Sequence, residues 1–370
     1  MTIEKGRISA FQMGLLMLPT ILVTALLLLP SLSAKQAGRD MWISPMWGSL
    51  IGFLTVYIVC RLNKLYPKQT LIEYSETILG RIPGKILGFC YVLYFLYTGG
   101  LIVREYTEFV VGTFYTLTPM IVVAASIVLA GAYAVAGGLE VLGRCGQIFV
   151  PLGLILQISI VLLLIPDLKP AHMLPIMEHG IGPSLKGSVV LLTWFSEFVV
   201  ISFMLPYLTD RVNGFMWGTI SVFVVLLFLV IENIAILFLF GDITPGLVYP
   251  FIVAARYISL ADFFEHVEAV VMAIWVTGAF VKITVFYYVL ALAAGQWLEL
   301  PDYRPLVLPL GFLLVVFSVW SGPTLQQLTS LISTSLPFLA LTFQIAIPLL
   351  LLAVALIREK TRRRKEATQG

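Results

Sequence analysis

The sequence predicts an all-α polytopic membrane protein of ten transmembrane helices, a five-plus-five inverted repeat whose first and sixth helices are broken. Three observations lead there. Hydrophobic residues are 59% of the 370 and charged residues only 12%, about half the usual soluble share. Mean hydropathy is +0.99, and a soluble fold could not bury so much apolar side chain and keep a wettable surface. Apolar runs separated by Pro, Gly and charges number ten, each able to supply the ~20 residues of a span.

In order, the spans fall at 10–32, 42–62, 84–113, 118–136, 144–165, 186–208, 215–240, 266–297, 304–320 and 332–357. The first follows Lys5 and Arg7 as a signal peptide would, but no small-residue cleavage site comes after it, so it stays. Interfacial aromatics such as Trp42, Trp47, Tyr57, Tyr66 and Trp297 mark span ends, and Gly137-Gly138 a turn. The third and eighth spans are too long to stand upright and should tilt. The largest loops are 166–185 and 241–265, and no stretch is long or polar enough for a soluble domain. The whole of 1–370 reads as one transmembrane domain, with 1–165 the first repeat, 186–357 the second and 358–370 a basic tail.

An odd number of spans per half requires the second half to be inverted. Span one reads ILVTALLLLP and closes at Pro30; span six reads EFVVISFMLP and closes at Pro206, 176 residues on. Polar groups interrupt both: Thr20 and Thr24 in the first, Ser196, Glu197 and Ser202 in the sixth. Orientation follows from Lys and Arg in the loops. Sixteen fall on the face shared by the termini and five on the other, so both termini are expected to be cytoplasmic. The net charge of +3 is scattered over short loops and points to no nucleic acid. The tail Arg362-Arg363-Arg364-Lys365 is a topological anchor, with anionic lipid a secondary contact.

Ionisable groups inside a span cost about 2.5–3.5 kcal/mol on insertion scales, so each needs a reason. Glu197 and Lys282 lie near the middles of spans six and eight. A broken helix beside them would offer backbone groups to a zwitterion, with Lys282 taking its carboxylate and Glu197 its amine. The alternative is a mutual pair stapling the halves together. Arg104 and Glu108, four apart on span three, can pair, and with Glu268 they form a candidate structural charge network. Trp194 and Phe195 directly precede Glu197 and are candidates to touch a ligand; Glu232, alone in span seven, has a weaker case for a role than the charge-network residues. The loop histidines His172, His179 and His266 match no metal-site spacing, so no metal or cofactor is expected. Cys60, Cys90 and Cys145 are too few and too scattered for a disulfide framework. No phosphate-cradling loop, nucleophile elbow or Ser/His/Asp set occurs, which argues against an enzyme.

The chain resembles the membrane-embedded B subunits of the germinant receptors of endospore-forming bacteria, a branch of the amino acid/polyamine/organocation transporter superfamily. The resemblance runs nearly end to end. It is carried by Phe11-Gln12, Leu29-Pro30, Tyr66-Pro67, Glu73-Tyr74, Leu79-Gly80, Arg104, Glu108 and Gly138-Leu139-Glu140 with Arg144. Further on it is carried by Gly180-Ile181-Gly182-Pro183, Glu197, Leu205-Pro206, Glu265, Glu268 and the run from Trp275 through Gly278 and Phe280 to Lys282. One departure is His266, where many relatives have Arg. The resemblance implies a LeuT-like fold, residence in the spore inner membrane, and a complex with a larger A subunit and a lipoprotein C subunit. It also implies a nutrient sensor that binds an amino acid or similar germinant and starts germination. By position, its pocket would draw on Thr24, Thr98, Trp194, Phe195, Glu197, Val281 and Lys282. The competing function is an amino acid permease of the same fold.

Overall fold

A computed structural model describes residues 3–258, 267–322 and 324–369, the side chains of 267, 268 and 362–369 excepted. Among these residues the chain is helical almost throughout, with no strand and one bridge between Ile8 and Leu208. The helices are α1 (Ala10–Ala37), α2 (Ser44–Leu65), α3 (Leu71–Leu79), α4 (Arg81–Thr113), α5 (Met120–Ala136), α6 (Leu139–Leu164) and α7 (Gly182–Ser196). They continue as α8 (Gly214–Phe240), α9 (Pro250–Tyr257), α10 (Val267–Trp297), α11 (Val307–Trp320), α12 (Leu325–Ala340) and α13 (Ile347–Gln369). Eight segments among the described residues are long and apolar enough to cross a membrane. Two shorter apolar ones, Met120–Ala136 and Arg304–Trp320, stand where the fourth and ninth spans are expected. The third and eighth are long, α4 with 33 residues and α10 with 31.

Position in the bundle follows from which helices bury all their faces. In α1, 89% of the most apolar window is buried against the rest of the protein; in α6 the share is 22%, so α1 is the central post and α6 faces lipid. The post packs on α6, α7, α8 and α10. Close approach on one side depends on Gly278 of α10, where a Cβ would overlap a methyl of Val23.

The expected break in the first helix is not there: α1 runs unbroken through Pro19 and Pro30. Each proline removes one backbone N–H, and the hydroxyls nearby fold back on other carbonyls of the same helix. Thr20 donates to Leu16 O at 2.7 Å, Ser31 to Leu28 O at 3.2 Å and Ser33 to Leu29 O at 2.9 Å. The sixth segment does change. Its α-helix stops at Ser196, and Glu197–Phe203 is 3-10, which alters the direction of successive side chains at Glu197. The tenth expected span is composite: α12, a π-helical turn Leu341–Ala346, then α13.

The termini share one face of the bundle. Ala10 N donates to Asp210 Oδ1 (2.7 Å), Thr209 N to Ile8 O (2.9 Å), Arg211 to Pro67 O (2.8 Å) and Arg358 to Thr77 O (3.4 Å). Buried Glu4 is fixed there, accepting from Gly6 N (2.6 Å), Tyr303 Oη (3.0 Å) and, at the start of α6, Leu139 N (3.3 Å). On the opposite face an Arg39–Asp242 ion pair of 2.9 Å joins the end of α1 to the turn after α8.

Candidate ligand-binding site

Four residues from three segments meet in the core. Lys282 of α10 donates to both oxygens of Glu197, at 3.1 and 3.0 Å, and to Thr24 Oγ1 of α1 at 2.7 Å. Trp194 of α7 donates its indole N–H to the same Thr24 oxygen at 2.8 Å. Lys282 is 1% exposed and Glu197 4%, so water does not reach this pair and its charges must answer each other. The three ammonium protons have three acceptors, and both lone pairs of Thr24 are engaged. Phe286, one turn from Lys282, places its ring 5.7 Å from the ammonium.

Each position follows from local structure. Thr24 sits between the two prolines of the central helix, where a short β-branched hydroxyl fits against two neighbours. Glu197 is the first residue of the 3-10 stretch, directly after Ser196 closes α7. Lys282 lies mid-helix on α10 and reaches across because Gly278, one turn earlier, lets α10 close on α1.

A second polar chain abuts the first. Ser196 donates to Gln344 Oε1, and Gln344 Nε2 donates to Tyr94 Oη at 2.6 Å. Gln344 lies in the π-helical turn, whose irregular ladder leaves the Phe343 carbonyl to accept from Tyr91 Oη at 2.7 Å. The ring of Phe343 stacks on Tyr94 at 4.7 Å. A reading of the sequence that weighs only ionisable groups inside spans passes over Tyr94 and Gln344. The signal is present in Gln344, an amide inside the run LTFQIAI.

Of the seven positions expected to line a pocket, Thr24, Trp194, Glu197 and Lys282 come together. Phe195 does not join them; its ring packs where Gly48 and Gly52 of α2 leave room. Neighbours on an α-helix point about 100° apart, so Trp194 and Phe195 cannot both face α1. Val281 lines a separate cavity of about 40 Å³ with Val23, Gly278 and Trp275, on another face of α1. Thr98 is buried on α4 and donates to its own helix at Tyr94 O, 2.8 Å. In the charge network, Arg104 and Glu108 pair at 2.7 Å, while the side chain of Glu268, like His266, lies outside the described residues. Glu232 is buried and accepts from Gln157 Nε2 at 3.2 Å.

The sequence model of a family described as spore germination protein matches residues 7–325. Among curated relatives, the chain is 27% identical over 375 positions to spore germination protein KB of Bacillus subtilis, covering 99% of each chain. It is 24% identical over 362 positions to spore germination protein YndE of the same species, covering 96% of this chain and 98% of that one. To spore germination protein XB of Bacillus anthracis it is 23% identical over 287 positions, covering 76% and 79%. One similar solved structure is the substrate-bound outward-open state of a Na+-coupled sialic acid symporter. The TM-score is 0.62 at 13% identity, over 92% of this chain and 79% of that one, which makes the architecture LeuT-like.

Proposed function

The chain belongs to the spore germination protein family, and from that premise we propose that it is the B subunit of a germinant receptor. It works beside a larger A subunit and a lipoprotein C subunit in the spore inner membrane, termini in the cytoplasm, and binds an amino acid or similar nutrient at Thr24, Trp194, Glu197 and Lys282. The observation that carries this reading is the buried Lys282–Glu197 pair at the change from α-helix to 3-10 helix. Its two charges are those a zwitterion needs. A ligand carboxylate replaces Glu197 at the Lys282 ammonium, the ligand ammonium takes Glu197, and no net charge enters the core. Side chains therefore exchange partners rather than leave a charge unpaired. The 3-10 stretch and the π-helical turn beside it are the backbone elements able to rearrange with that exchange.

The test separates binding from stapling. Glu197→Gln or Lys282→Met alone leaves a buried charge unpaired, at a cost of about 3–5 kcal/mol, and is expected to lower protein level. The double variant should recover the level, read by immunoblot, and remain unresponsive to germinant. Recovery of the response as well would remove the binding role and leave a staple. Labelled amino acid uptake by the chain reconstituted alone would overturn the receptor reading in favour of a permease.

A further inference from the structure

Far from the buried pair, on the face opposite the termini, the ends of α1, α7 and α12 enclose a groove of about 550 Å³. Lys35 of α1 and Lys186 of α7 stand in its walls with the amides of Gln36 and Gln326, and Leu32 and Val190 form apolar patches. Among the described residues no carboxylate lines it, and neither lysine is in an ion pair. Lys35, in the last turn of α1, is well placed for the negative end of that helix. Lys186 is not: it is the fifth residue of α7, near the positive end, where a cation is disfavoured. The first turns of α12 form the third wall, so a second helix N-terminus adds to the same sign. Two solvent-exposed ammonium groups stand in one concavity beside the first turns of α7 and α12, where the only opposing element described is the negative end of α1, and no carboxylate neutralises them.

We propose that this groove binds an oxyanion, a carboxylate or phosphate group, where α1 and α7, the helices that lead to Thr24 and Glu197, have their ends on this face. Its placement relates it to that site. Lys35 lies eleven residues beyond Thr24 on α1, and Lys186 eleven residues before Glu197, which directly follows the last residue of α7. Eleven residues are three turns, about 16 Å, and return to nearly the same helix face. An anion held between the lysines is thus lined up with Thr24 and Glu197 along both helices. The groove's volume falls in the range of ordinary small-molecule sites, about 300–1,000 Å³. The apolar patches beside the cations accept the methylene body of a small carboxylic acid or the first carbons of a phospholipid.

The experiment uses the full chain in phosphatidylcholine nanodiscs, read by thermal unfolding. Glutarate and inorganic phosphate are the soluble probes; phosphatidylglycerol added to the disc is the lipid probe. At least one probe is expected to raise the midpoint saturably. Loss of a charged hydrogen bond is worth about a tenfold change in affinity, so Lys35→Gln with Lys186→Gln should weaken the effect by tenfold or more. A response to soluble probes assigns a soluble anion, and a response to phosphatidylglycerol alone assigns a lipid headgroup. Ser333→Glu keeps both lysines, gives them a carboxylate in the groove wall and should also abolish the effect, which guards against a double variant that fails to fold. Equal responses in wild type and Ser333→Glu, or no response to any probe, would overturn the proposal. The Glu197→Gln, Lys282→Met double variant should keep the groove's response, so failure at the buried pair and failure here are told apart.

Discussion

Thr24 is the residue on which the buried junction turns, because its one oxygen accepts from both Trp194 and Lys282. Thr24→Val keeps the shape and removes the acceptor, leaving an indole N–H and an ammonium proton unanswered in the core. Each such loss costs about 1–3 kcal/mol, so protein level and germinant response should both fall. Thr24→Ser retains the oxygen and should stay close to wild type in both. A Thr24→Val protein with normal level and dose response would take Thr24 out of the junction. Glu197 and Lys282 obey the same logic with a larger penalty, since a charge rather than a dipole is stranded.

At the scale of elements, the contact between α1 and α10 sets the reach of Lys282. Gly278 lacks the Cβ that would overlap Val23, and Trp275 one turn away donates to Val23 O at 2.7 Å. Gly278→Ala is therefore expected to push the helices apart and destabilise the protein by about 1–3 kcal/mol. Trimming the obstructing side chain in the double variant Val23→Ala with Gly278→Ala should restore much of the loss, measured as the thermal midpoint of purified protein. Additive destabilisation in the double variant would mean that the two residues do not share this contact.

The whole molecule ties its two ends to one face: Ile8 and Ala10 bond to the segment 207–210, and Arg358 reaches Thr77. By the positive-inside count, sixteen basic residues against five, that face is expected to be cytoplasmic. Cysteines at Thr2 and Thr368, with native Cys60, Cys90 and Cys145 changed to Ser, should react with an impermeant maleimide only after vesicles are opened. Labelling of either position in intact right-side-out vesicles would reverse the assignment.

Hydropathy and charge along the chain are enough to establish the membrane class, the apolar segments, the Arg104–Glu108 pair and the two charges of the core. Hydropathy and the cost of burying an ion belong to a residue and its immediate neighbours in the chain, so the apolar runs around Glu197 and Lys282 already demand a partner for each. Who those partners are is a matter of packing. Trp194 turns to Thr24 while adjacent Phe195 turns to α2, because the packing of α7 chooses which of two neighbouring side chains faces the central post. Proline in α1 predicts a break, yet the helix continues, since each proline removes a single ladder bond and the post is packed against neighbouring helices over most of its surface. Gln344 joins the site only because a π-helical turn meets the side chains of Tyr94 and Ser196, which stand 250 and 148 residues away along the chain. Such contacts are made through space, and the energy that selects them exists only once the helices have packed.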